Sequence, residues 1–196
     1  MKTINFLITG VGGQGTVLAS DVMAAVGLAA GYDVKKSDIL GLAIRGGAVI
    51  SHVRWGERVH SPIVPEGRAD YMVAFEILEG LRWLDQVRPE GTVLINQQEI
   101  HPVTVSSGFA TYPNQETVEG ALQAAACVYR VPGLHIAQEL GNARVLNVVL
   151  LGAVASLLPV ELQTWEAVLK ERVPSRYVDL NIRAFHKGRG WVQERT

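Results

Sequence analysis

The residues best placed to do chemistry lie near the start of the chain. There the apolar run 3–9 passes directly into Gly10-Val11-Gly12-Gly13-Gln14-Gly15 and then into an apolar pattern of helical spacing. A glycine turn between strand and helix is the arrangement that cradles phosphates: glycine lets the backbone approach a ligand, and the free N–H groups and positive dipole end of the helix attract an anion. The same turn also serves to pack helix on strand, and the motif alone does not separate the two uses. A second glycine loop, Gly41-Leu42-Ala43-Ile44-Arg45-Gly46-Gly47, carries one arginine. Its planar guanidinium could meet a phosphate or a carboxylate, or it could anchor its own loop through backbone carbonyls.

Other chemistries find less support. A dinucleotide site needs an acidic residue at the end of the second strand to bind ribose hydroxyls, and the candidates Asp33 and Asp38 lie in a polar segment, so a stand-alone NAD(P)-binding reductase is a secondary reading. His52 has no cysteine or second histidine at ligand spacing, and the remaining histidines are scattered, so no metal site is expected. Ser61 lacks the glycines of a nucleophile elbow. Glu76 and Glu79 open a helix, where carboxylates favourably meet its N-terminus. Asn147 is the odd polar residue of an apolar helix and must find a hydrogen-bond partner in the core or at an interface.

These candidates need a scaffold, and the 196 residues, 48% hydrophobic and 19% charged, are enough to bury a full core as one domain over residues 1–196. A net charge of −1 gives no broad surface for nucleic acid or anionic membrane. One cysteine, Cys127, rules out an internal disulfide or an iron–sulfur cluster held by this chain alone. The opening lacks a secretory layout and the apolar stretch 145–158 is short for a bilayer, so a cytoplasmic protein is expected.

The pattern predicts a strand, the glycine turn and a helix to Gly31, then a mixed-face strand over 32–40 suited to an edge. Strands over 48–55 and 58–64 are expected to form a β-hairpin about Gly56-Glu57. Strands follow near 71–75, 92–96, 103–105 and 127–131, with helices over 76–84 and 115–125. From residue 136 onward the chain reads as helices over 136–140, 144–158, 161–171 and 176–185. The expected fold is α/β: a Rossmann-like three-layer sandwich with a parallel-rich sheet, a β-hairpin insert and a helical C-terminal tail.

Taken together, the motifs resemble one family. They are the first glycine turn, Gly41 with Arg45-Gly46-Gly47, Ser51-His52-Val53-Arg54, Ser61-Pro62-Ile63-Val64-Pro65-Glu66-Gly67 with Ala69-Asp70, Phe75-Glu76 with Leu78-Glu79, Asn96, Gly141-Asn142-Ala143-Arg144, Asn147 and Leu151-Gly152. In that order they resemble the gamma-type subunits and domains of 2-oxoacid:ferredoxin oxidoreductases, closest to the beta subunits of indolepyruvate ferredoxin oxidoreductase. The resemblance implies oxidative decarboxylation of indolepyruvate or another aryl 2-oxoacid to an acyl-CoA, with ferredoxin reduced. A larger alpha subunit would carry thiamine diphosphate, Mg²⁺ and [4Fe-4S] clusters, leaving this chain without a bound cofactor, inactive alone and part of a hetero-oligomer. It further suggests that Gly10, Gly12, Gly13, Gln14, Gly15, Arg45, Gly46 and Gly47 face the partner's active site, a CoA phosphate or the substrate carboxylate. Ser51, Glu76, Asn96, Asn142 and Asn147 then take interface or structural roles. A purely structural or regulatory subunit is the alternative, and no catalytic residue is assigned to this chain.

Overall fold

The computed structural model describes residues 3–41, 43, 46–123 and 127–195. Arg45 of the second glycine loop therefore lies outside the described residues, as do Leu42, Ile44 and the segment 124–126. Six strands form one sheet in the order β2-β3-β1-β4-β5-β6. They are β1 (Ile4–Val11), β2 (Asp33–Leu40), β3 (Ala48–Gly56), β4 (Ala69–Ala74), β5 (Val87–Asn96) and β6 (Cys127–Val131). β1, β4, β5 and β6 are parallel, whereas β3 runs antiparallel to both β1 and β2. The helices are α1 (Thr16–Ala29), α2 (Ile77–Leu81), α3 (Val103–Ser106), α4 (Gln115–Leu122), α5 (Gly133–Glu139), α6 (Leu146–Ala155), α7 (Leu162–Arg172) and α8 (Val178–Gln193).

Period-2 alternation along the strands divides the core in two. Phe6, Ile8, Val53, Trp55, Val73 and Leu94 face the layer that contains α1, α6, α7 and α8, while Leu7, Ile50, Met72, Val93 and Ile95 face Val118 and Leu122 of α4. Helices thus cover both faces, and the three-layer, parallel-rich arrangement expected from the sequence is the one observed. Every residue of α6 is buried, with α8 crossing it through Gly152 and Gly188.

Two expectations are corrected. The hairpin is formed by β2 and β3, whose registers run from Asp33 opposite Gly56 to Leu40 opposite Val49, and its turn is the second glycine loop. Residues 57–68 form no strand, because side chains rather than a ladder hold them. Val59 N–H donates to the Asp33 carboxylate at 2.7 Å, and the Arg54 guanidinium donates to the carbonyls of Ser61 and Ile63 at 3.0 and 3.2 Å. Residues 103–105, expected as a short strand, belong to the one-turn helix α3 after Pro102. There the β-branched residues are overridden by proline, whose fixed φ suits a helix start.

His52 lies on β3, 5% exposed, where its Nδ1 accepts Val64 N–H at 3.3 Å. Burial pushes its pKa below the ordinary histidine value. The folded protein thus favours neutral imidazole while the unfolded chain takes up a proton below about pH 6.5. Stability is therefore expected to be full above that pH and to fall as the solution is acidified through it toward the lower folded-state value. Chemical denaturation between pH 7.5 and 5 checks this. His52→Gln should flatten that part of the profile, and an unchanged slope would remove His52 as its source.

Candidate functional site

The glycine turn sits where the layers part: after β1 the chain enters α1 on one face, and after β4 it enters α2 on the other. A crevice at the carboxyl ends of parallel strands whose connections diverge is the usual ligand position of an open α/β sheet. Gly13 and Gly15 adopt φ of 108° and 84°, the left-handed region in which a side chain is strained. Gly15 occupies the N-cap of α1 with no side chain capping the helix and no acidic residue in its first turn. The orphan N–H groups of a 14-residue helix are thereby left without a side-chain acceptor.

The two glycine loops are brought together. Gly12 N–H donates to the Gly47 carbonyl at 2.8 Å, and Gly46 N–H donates to the Gly12 carbonyl at 3.2 Å. Between them and the start of α1 lies a hollow of about 420 Å³ lined by residues that include Gly12, Gly13, Gly15, Thr16, Val17, Leu40 and Gly41. Thr16 Oγ1 at its edge is buried, with no hydrogen-bond partner among the described residues.

Gln14 points the other way and locks the turn to β4 and β5. Its Oε1 accepts Val11 N–H at 2.8 Å, and its Nε2 donates to the Phe75 carbonyl at 2.9 Å and to Gln98 Oε1 at 3.0 Å. Asn96 completes the lock, donating to Phe75 at 2.9 Å and to Gln98 at 3.2 Å while accepting Gly133 N–H at 3.0 Å. Glu76, the residue after Phe75, is fully buried. Its carboxylate accepts Glu79 N–H at 2.8 Å, Ile100 N–H at 3.0 Å and the Tyr112 hydroxyl. Burial first, and the Glu76 carboxylate second, push the Tyr112 phenol above its ordinary pKa, so it stays a donor. Glu79 is pushed up by burial, which outweighs Arg82 beside it.

Gln98 and Tyr112 carry no motif and were not distinguishable in the sequence. The only hint is a glutamine pair, Gln97-Gln98, immediately after a buried strand.

The other candidates disperse. Ser51 lies beneath α1, donating to Asp38 at 2.5 Å, and Asp38 also accepts from Lys36 at 2.7 Å and from Ser20 at 3.3 Å. Burial disfavours the Asp38 carboxylate, and these hydrogen bonds outweigh it, holding the group below the usual carboxylate range. With Asp33 occupied by Lys35 and Val59, both acids considered for a ribose are already engaged. Asn142 caps the short 3-10 turn Ala143–Val145 by accepting Arg144 N–H. Asn147, buried, packs its carboxamide so closely on Gly15 that a Cβ there would lie 2.9 Å from Nδ2. Among the described residues no group of three or more His, Cys, Asp or Glu could hold a metal ion, and no helix is long and apolar enough to cross a membrane.

Residues 5–191 match the family described as pyruvate ferredoxin/flavodoxin oxidoreductase, and the chain belongs to that family. Within it, the chain is 37% identical over 192 residues to the indolepyruvate oxidoreductase subunit IorB of Thermococcus kodakarensis, covering 96% of this chain and 95% of that protein. It is 35% identical over 188 residues to the IorB subunit of Archaeoglobus fulgidus, covering 94% and 93%. The fold is shared with the gamma subunit of a keto/oxoacid ferredoxin oxidoreductase from Geobacter sulfurreducens, with a TM-score of 0.73, 22% identity and coverage of 97% and 99%. It also matches 32% of a chain of the Magnetococcus marinus 2-oxoglutarate:ferredoxin oxidoreductase, solved with 2-oxoglutarate, coenzyme A and succinyl-CoA bound, with a TM-score of 0.77, 22% identity and 100% of this chain covered.

Proposed function

We propose that this chain is the IorB-type subunit of a 2-oxoacid:ferredoxin oxidoreductase that converts indolepyruvate or another aryl 2-oxoacid to its acyl-CoA. The near-full-length IorB relatives support the subunit type. Cluster and thiamine chemistry are assigned to a larger alpha subunit, because a single half-buried cysteine on β6 does not fit a cluster. No step of that chemistry is placed on this chain.

The chain's own contribution is to close the partner's active site with its two tied glycine loops and to receive an anionic group of CoA or the 2-oxoacid at the start of α1. The observation that carries this reading is the uncapped α1 N-terminus opening on the hollow between the loops. An anion there gains from orphan N–H groups and the helix dipole, and closing the loops excludes water, which strengthens both.

Arg45 tests it. In the reconstituted complex, Arg45→Lys keeps the charge and loses the bidentate fork, whereas Arg45→Ala loses both. A charge-assisted hydrogen bond is worth about 1.5 to 3 kcal/mol, so Arg45→Ala should lower kcat/KM for CoA or the 2-oxoacid by about ten- to a hundredfold, with Arg45→Lys in between. Val17→Asp is the companion, since an acid in the first turn of α1 favours the helix while repelling a bound anion. It should raise KM without lowering the melting temperature. Unchanged kcat/KM for both substrates in all three variants would leave the chain a structural subunit.

A further inference from the structure

From the outer edge of β2 we infer that a second copy of this chain pairs with it, joining two sheets about a twofold axis through Ser37. β2 ends the sheet, and among the described residues no strand pairs with its outer side. Gly41 N–H donates to the Ala48 carbonyl, which sets the alternation of an antiparallel ladder. Odd-numbered residues of β2 therefore turn their backbone groups toward β3, and Val34, Lys36, Asp38 and Leu40 turn theirs outward. An eight-residue edge of this kind is a ready template for another strand unless something guards it.

Two of the usual guards are absent. β2 contains no proline, and its register with β3 is uninterrupted. Lys36, the outward lysine, is folded back onto Asp21 and Asp38 at 2.5 and 2.7 Å instead of standing off the edge. Ile39 and Leu40 remain 50% and 61% exposed.

The edge is complementary to itself in one register. With Ser37 opposite its own copy, Lys36 faces Asp38 and Val34 faces Leu40, each pair formed by residues whose backbone groups point outward. Those are the narrow pairs of a ladder, which exchange two hydrogen bonds each. Lys35 then faces Ile39, and like charges never oppose each other.

The same twofold explains Leu28 of α1, which is 60% exposed although it belongs to a helix packed on the core. Asp21 reaches Lys36 on β2, so the side of α1 that carries Asp21, Ala24 and Leu28 overlooks the free edge. Joining the sheets sets two α1 helices side by side, and the exposed Leu40 of each copy approaches Val34 and Leu28 of the other. Apolar ends meet apolar ends, with the opposite charges between them.

The test uses the full chain, alone and in the complex purified with its partner subunit. Ser37→Cys places sulfurs on the axis, where the Cα atoms of a non-hydrogen-bonded pair lie about 4.5 Å apart, within disulfide range. Mild oxidation should give a covalent homodimer in both preparations. The wild-type chain, whose Cys127 lies on the opposite edge strand, should not crosslink under the same conditions. Leu28→Glu, far from the glycine loops, should weaken dimerisation in sedimentation by about tenfold or more, because it buries a charge against Leu40. A monomeric chain with no Ser37→Cys crosslink overturns the proposal, as does a dimer that neither crosslinks there nor responds to Leu28→Glu. Self-crosslinking by the isolated chain but not by the complex also overturns it, since the edge is then taken by the partner subunit.

Discussion

Glu76→Ala is expected to destabilise the protein by about 3 to 5 kcal/mol, because it orphans three donors at once and each unsatisfied buried donor costs about 1 to 3 kcal/mol. The three come from separate parts of the chain: Glu79 N–H in α2, Ile100 N–H in the segment after β5, and the Tyr112 hydroxyl before α4. The carboxylate is fully buried, so water does not readily replace it. For a chain of this size such a loss lowers Tm by about 6 to 20 °C. Glu76→Gln keeps one oxygen as acceptor but turns an amide N–H₂ toward a donor, so it should lose about 1 to 3 kcal/mol. Tyr112→Phe removes one hydroxyl that donates to Glu76 and accepts Leu78 N–H at 3.2 Å, and should cost about 1 to 2 kcal/mol. Calorimetry on the three variants gives the order directly. Limited proteolysis adds a local reading, since segment 97–114 should become the first site of cleavage when Glu76 is lost. Equal melting temperatures for wild type and Glu76→Ala would mean that the carboxylate does not hold these elements together.

That clamp also marks how far the sequence could be read. A glutamate at a helix start is visible in a sequence, and Glu76 does cap α2. Its bonds to Ile100 and Tyr112 span 24 and 36 residues, and no local pattern announces them. Gln14 and Gln98 lie 84 residues apart, so the lock on the glycine turn exists only once β1, β4 and β5 are side by side. What was legible depended on local signals. The apolar run, the glycines and the helical spacing define β1, the turn and α1, and the apolar stretch 145–158, interrupted by Asn147 and followed by Pro159, marks α6, which ends earlier, at Ala155. Residues 58–64 misled because Val59, Ile63 and Val64 are apolar and β-forming. Their backbone is held instead by Asp33 and Arg54, both on strands elsewhere in the sheet. The true hairpin partner, β2, was obscured by Lys35, Lys36 and Asp38. These charges pair with one another and with α1, so a strand packed against a helix looked polar in the sequence.

Packing makes the second large prediction, and here too a sequence shows only glycines. α8 buries Asn181, Ala184, Phe185, Gly188 and Val192 on one helical face and meets α6 at Phe185 and Gly188. At the crossing a Cβ on Gly188 would overlap the backbone carbonyl of Val149, and a Cβ on Gly152 would overlap that of Phe185. Neither obstacle is a side chain that can rotate away, so a methyl group must push two helices apart inside a core where every residue of α6 is buried. Overpacking typically costs about 1 to 3 kcal/mol, and a collision with backbone belongs at or above the upper limit. Gly188→Ala and Gly152→Ala should each lower Tm by about 6 to 12 °C. The double variant should lose less than the sum, because separation forced by the first methyl makes room for the second. Gly190→Ala is the matched control: it lies in the same helix with nothing within 4 Å of its added Cβ, so alanine's better helix propensity should raise stability by up to about 1 kcal/mol. Opposite signs at positions two residues apart cannot come from propensity alone. If Gly188→Ala instead melted at or above the wild-type temperature, the close crossing of α6 and α8 would not be a feature of the protein in solution.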